Sequence, residues 1–136
     1  MSSEFLEKTY LTTHELAIGT FNFYEHVIVG QIREGMQISI DNVLPLLALS
    51  WEAYQNTSMV YISDRKYSYS LDPTMYYEVK KLIPYMKGYA WVVHNDFNRQ
   101  VAEIEARFLQ CPNAIHSSMS DALKWSLKIL EDSSAV

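Results

Sequence analysis

The sequence predicts a layered α/β fold: an N-terminal antiparallel hairpin, then βα units around a mainly parallel central sheet, with four helices. Three observations predict it. Short β-rich runs come first, before any segment with helical spacing. After Gly35 the apolar spacing turns helical and then alternates with uninterrupted apolar runs such as "SMVYIS" and "YAWVV". Such runs are what strands covered on both faces look like. Cap signals then open the later helical segments, and right-handed crossovers make the later strands parallel with helices on both faces.

Taken in order, an extended region spans about Tyr10 to Tyr24, with Gly19 as a kink or bulge. Glu25-His26 separates "TFNFY" from "VIVGQIR", which predicts a hairpin. "SIDNVLPLLALSWEAYQN" offers Ser39 or Asp41 as cap, then Val43, Leu44, Leu46, Leu47, Trp51 and Tyr54 at helical spacing. Pro45 fits if it falls in the first turn, where a missing N–H has no acceptor to lose. The strand "SMVYIS" follows. Asp72-Pro73 then starts a helix over "TMYYEVKKLIPYMK", with Gly88 as its stop. "YAWVV" is the next strand. Asn95 or Asp96 caps "FNRQVAEIEARFLQ", where Phe97, Val101, Ile104 and Phe108 share one face. Arg99, Glu103 and Arg107 are spaced for ion pairs on the wet side. "NAIHS" is a short last strand. Ser118 and Asp121 open a last helix with Ala122, Trp125 and Ile129 inward. Trp51, Trp91 and Trp125 all read as core.

The totals frame the function. A chain of 136 residues is one domain, 1–136, with flexible ends expected over 1–8 and 132–136. A formal charge of −5 argues against a nucleic-acid backbone as partner. Cys111 is the only cysteine, so no intrachain disulfide is available. No apolar run approaches the roughly 20 residues of a membrane span, and the first residues lack a secretion pattern. The expectation is a cytoplasmic protein.

The order of elements resembles the SpoIIAA-like fold of STAS domains, which include anti-sigma-factor antagonists and sulfate-transporter tails. The resemblance runs from about Thr20 to Leu130. It rests on "FYEHVIVGQIREGMQIS", "VYISDRKYSYSLDP" and "SMSDALKW". It implies a non-catalytic regulatory or protein-interaction module. In the antagonist branch, an Asp-Ser-Ser/Thr-Gly loop carries a serine phosphorylated by a partner kinase. Here that loop is "SDRKYSYSLDP", without the motif and without glycine; Ser68 and Ser70 lie near the expected place. The fold is also similar to CRAL-TRIO lipid-transfer domains, which implies a second reading: an apolar or lipid-like ligand held between sheet and helices.

In open α/β sheets, ligands and partners meet the carboxyl ends of the parallel strands. Three segments are expected to converge there: Ser63 to Ser70, His94-Asn95-Asp96, and His116-Ser117-Ser118. The candidate binding residues are Asp64, Arg65, Lys66, Tyr67, Ser68, Tyr69, Ser70, His94, Asn95 and His116. Capping and solvation are the simpler role for many of them. Catalysis is not expected, since no Gly-x-Ser-x-Gly elbow or glycine-rich oxyanion loop accompanies any serine. No metal site or cofactor is expected either: His14, His26, His94 and His116 are scattered, and the four glycines form neither a P-loop nor a dinucleotide fingerprint. A protein partner is expected, with no nucleic acid and no membrane span. A homodimer through the unpaired edge of the long first strand is a further expectation.

Overall fold

The computed structural model describes residues 2–134. Helix α1 (Ser2–Thr9) leads directly into β1 (Tyr10–Leu16), followed by β2 (Gly19–Tyr24) and β3 (Val27–Ile32). Then come β4 (Gln37–Ile38), α2 (Ile40–Tyr54), β5 (Met59–Arg65), β6 (Ser70–Leu71) and α3 (Met75–Leu82). The chain closes with β7 (Met86–Val93), α4 (Asp96–Ala106), β8 (Asn113–His116) and α5 (Met119–Ser134). Six strands form one sheet in the order β1-β2-β3-β5-β7-β8. Its first two pairings are antiparallel and the other three parallel. This is the mixed α/β architecture expected, with five helices among the described residues where four were expected.

The sheet buries both faces because its central strands carry apolar residues at consecutive positions. Val60 and Ile62 face α5, whereas Met59 faces α2 and α3. In β7 the alternation places Ala90 and Val92 on the α5 side and Tyr89, Trp91 and Val93 on the other. Helices α2, α3 and α4 cover that second face. Trp91 is wholly buried, but Trp51 is 49% exposed and Trp125 is half-buried, so the core reading holds in full for one tryptophan of three.

Several local expectations need correction. The extended region from Tyr10 to Tyr24 is two strands joined by a tight turn at Ala17-Ile18, not one kinked strand. The register irregularity lies at Tyr10/Thr12, while Gly19 pairs regularly with Leu16 and Ile32. Gly19 is needed because a Cβ there would collide with the Gln31 carbonyl of β3. Of the segment 1–8 expected to be flexible, residues 2–8 belong to α1 and Met1 lies outside the described residues; Leu6 packs against the α5-side core. The 132–136 segment begins inside α5, and 135–136 lie outside the described residues.

Pro45 sits sixth in α2, past the first turn. Helix α2 is nonetheless held at its start by Ser39, whose backbone N–H donates to Asn42 Oδ1 at 2.9 Å. Leu44, expected inward, is 45% exposed; the inward stripe is Val43, Leu46, Leu47, Ser50 and Tyr54. Helix α3 ends at Leu82 because Pro84 cannot continue it. Gly88 is therefore not its stop but a residue of β7, where Trp125 and Ile129 of α5 press on the strand.

Helix α4 is the largest departure. It buries Asn98, Ala102 and Glu105, and turns Phe97 and Ile104 outward at 63% and 53% exposure. The expected apolar stripe is not the buried one. The reason lies in the rim at the ends of β5 and β7.

Candidate functional site

The carboxyl ends of β3, β5 and β7 are tied together by side chains. Asp64 of β5 accepts a hydrogen bond from Gln31 Nε2 of β3 at 2.8 Å, and its other oxygen lies 2.7 Å from His94 Nε2, just past β7. Asn95 caps α4 by accepting from the Asn98 N–H at 2.8 Å. The Asn98 side chain donates to the Arg65 carbonyl at 3.2 Å, and Arg99 donates to Ser117 Oγ at 2.9 Å. Segments 63–70, 94–99 and 116–118 thus meet at one rim, as strand polarity required.

Alternation along β5 sends Arg65 to the opposite face from Asp64, and there it is 1% exposed. Its Nη1 meets Glu105 Oε2 at 2.7 Å, and its guanidinium stacks over the Tyr69 ring at 4.1 Å. Glu105 also accepts from the Tyr76 hydroxyl at 2.9 Å, and Tyr76 and Tyr89 hydroxyls stand 3.2 Å apart. Ser63 Oγ and the Tyr69 hydroxyl complete the cluster at 3.3 Å. Burial alone would lower the Arg65 pKa, but Tyr69 and Glu105 outweigh it and raise it. Burial pushes the Tyr61, Tyr69, Tyr76 and Tyr89 hydroxyls up, so they stay protonated. This cluster explains α4: a charged Arg65 inside the fold needs a carboxylate, and Glu105 supplies it at the expense of Phe97 and Ile104.

The expected loop is not free. Ser70-Leu71 pairs as a short parallel strand with Gln37-Ile38. The Gly35 N–H donates to the Ser68 carbonyl at 2.8 Å, and the Ser68 N–H to Glu34 at 3.4 Å. Gly35 takes φ +79°, a conformation that favours glycine. The segment from Lys66 to Leu71 is a strap stitched to residues 34–38. Lys66, Tyr67 and Ser70 point outward, with Lys66 Nζ 5.5 Å from the Tyr67 ring; Ser68 and Tyr69 are half-buried.

Of the ten expected site residues, the structure sets seven along the rim and strap (Asp64, Lys66, Tyr67, Ser68, Ser70, His94 and Asn95) and takes Arg65 and most of Tyr69 inside. His116 is at the same rim, but its buried Nε2 has no hydrogen-bond partner among the described residues. It lies in β8 under α5, with its ring 5.9 Å from Trp125, and burial lowers its pKa. Glu105, Tyr76, Tyr89 and Gln31 were missed. The spacing of Asn98, Ala102 and Glu105 marks a helix face, but a more apolar face competed with it.

His94 and Asp64 form a carboxylate–imidazole pair, yet among the described residues no serine or cysteine side chain is bonded to that imidazole. No three His, Cys, Asp or Glu side chains are grouped to hold a metal ion among the described residues. Burial raises the Cys111 pKa, which works against a thiolate. No described helix is long and apolar enough to cross a membrane. Beneath α2 and α3 lies an apolar cavity of about 50 Å³, lined by Ile28, Leu46, Tyr61, Val79 and Met86 among others. No family model, curated protein or solved structure matches the chain.

Proposed function

We propose that this protein is a non-catalytic interaction module, similar in role to STAS domains, that docks a protein partner on the strap and adjoining rim. One observation carries the reading. The strap is anchored from within by Tyr69 against Arg65 and along its edge by the β4–β6 pairing, while Lys66, Tyr67 and Ser70 remain outward, and His94 and Asn95 past the end of β7 are exposed as well. A loop already held in one shape loses little entropy on binding, and an exposed tyrosine with a lysine beside it suits a protein surface. The resemblance to STAS domains supports the same role. Ser68, half-buried, and Ser70, exposed, are the strap serines near the place of the antagonist phosphoserine.

The test is capture of a partner from the native host by the immobilised full chain, wild type against Lys66→Ala/Tyr67→Ala. Arg65 is left alone because its loss would disturb the core. The expected result is one stoichiometric partner, held at least about tenfold more weakly by the variant, with unchanged melting. Equal capture by both proteins removes the strap from the interface.

A second reading, an apolar ligand held between sheet and helices, requires the cavity of about 50 Å³ beneath α2 and α3 to widen several-fold. Its walls include Met59, Met75 and Met86, which adapt readily to an occupant. Native mass spectrometry of protein from cells decides it: a stoichiometric co-purified molecule supports the ligand, and a clean apo mass removes it.

A further inference from the structure

Phe97, Val101, Ile104 and Phe108 recur along α4 and its closing turn at intervals of four, three and four. That is the spacing of a two-helix seam. Phe97 and Ile104 are the most exposed large apolar side chains among the described residues, at 63% and 53%; Val101 and Phe108 are half-buried. Tyr77 of α3, 41% exposed, meets Phe108 edge-on at 6.3 Å and widens the patch. The order of residue types is aromatic, aliphatic, aliphatic, aromatic. Both the spacing and the types read the same in either direction.

The wet flank of the seam repeats the spacing but not the mirrored residue types, with an acid at its N-terminal end and a base at its C-terminal end. Asp96, Gln100, Glu103 and Arg107 are all exposed and follow the same four-three-four spacing. Neither Asp96 nor Arg107 forms an ion pair among the described residues. We propose that α4 is a homodimer interface, two copies packing α4 antiparallel about a two-fold axis between Val101 and Ile104. A two-fold contact requires a surface that complements itself, and a palindromic seam does. Phe97 then meets the partner's Phe108, Val101 meets the partner's Ile104, and Asp96 comes within about 3 Å along the helix axis of the level of the partner's Arg107, a gap two long side chains span, twice by symmetry. Parallel pairing would put the two copies of this flank on opposite sides of the seam, so Asp96 and Arg107 would not meet. A different partner would have no use for the palindrome, and a membrane surface would favour a basic flank over this mixed one.

This interface is distinct from the β1 edge, whose outward residues are mostly polar. One short helix pair with Tyr77 covers less than the roughly 800 Å² per partner of a standard interface, so association is reversible and concentration-dependent.

Sedimentation equilibrium of the full chain tests it. Wild type forms a reversible dimer at high micromolar concentration, and Phe97→Glu/Ile104→Glu is monomeric. Asp96→Arg and Arg107→Asp each raise the dimer Kd by about tenfold, and the double swap Asp96→Arg/Arg107→Asp restores it. Melting temperature is recorded for each variant, because Asp96 also opposes the α4 dipole. Monomeric wild type overturns the proposal. So does a dimer that survives the Phe97/Ile104 change, which would belong to the β1 edge, or a double swap no tighter than its single parents.

Discussion

The Arg65 guanidinium and the Glu105 carboxylate meet at 2.7 Å inside the protein, with side chains 1% and 5% exposed. Two charges taken from water are held by each other, by Tyr76 on the carboxylate and by the Tyr69 ring against the guanidinium. The pair joins the end of β5 to the last turn of α4. It therefore fixes the helix whose first residues frame the rim and whose outer face carries the seam.

Removing one member leaves the other charged and dry. Glu105→Ala is expected to lower unfolding free energy by about 3–5 kcal/mol. Arg65→Met/Glu105→Leu is expected to recover most of that loss, because no unpaired charge remains. Urea denaturation of the single and double variants measures both. A Glu105→Ala loss below about 1 kcal/mol would mean the pair behaves as a solvated one.

Gly30 of β3 lies between two rings. A Cβ there would come within 2.8 Å of the Phe21 ring and would also strike the Tyr61 hydroxyl. Gly30→Ala is expected to destabilise by about 1–3 kcal/mol through overpacking. Adding Tyr61→Phe removes the nearest obstruction and should return part of the loss. Additive losses in the double variant would show that Tyr61 is not the obstruction.

Most of the fold was legible because the strands and caps obey local rules. "SMVYIS" and "YAWVV" are covered on both faces, Asn95 accepts the Asn98 N–H, and Ser118 Oγ accepts that of Asp121 at 3.2 Å. What failed depended on contacts far apart in sequence. Periodicity ranks faces by apolarity, so it preferred Phe97 and Ile104 to Asn98 and Glu105; only the buried Arg65 reverses that order. The strap read as an open loop because its partner strand is two residues long and lies some thirty residues earlier. The convergence of three segments at the rim was legible, since strand polarity alone places them there. That Arg65 and Asp64 point to opposite faces followed from strand alternation, but was hidden while Arg65 was read as loop.

Alkaline pH should unfold the protein by way of its buried tyrosines. Burial raises the pKa of Tyr61, Tyr69, Tyr76 and Tyr89, whereas an unfolded tyrosine ionises near about 10. Above that pH the native state holds more protons than the unfolded one, so stability falls as pH rises. Phenolate absorbance from these residues is expected to appear together with loss of the near-UV circular dichroism signal. A smooth phenolate titration completed before any loss of that signal would contradict their burial.

His116 gives the opposite slope on the acid side. Burial lowers its folded pKa below the ordinary value of 6.5, with Asp121 pulling weakly the other way. The folded state thus prefers neutral imidazole. As pH falls through 6.5 the unfolded chain takes up the proton first. The stability contributed by His116 is full above that value and declines as pH drops toward the folded pKa. His116→Gln removes this titration while keeping a polar side chain beside Trp125. Comparing urea midpoints at neutral pH and at mildly acidic pH, the loss on acidification should be smaller in the variant than in wild type. Equal losses would mean that the ring under α5 is as well solvated as a free imidazole, and its burial against Trp125 would have no energetic consequence.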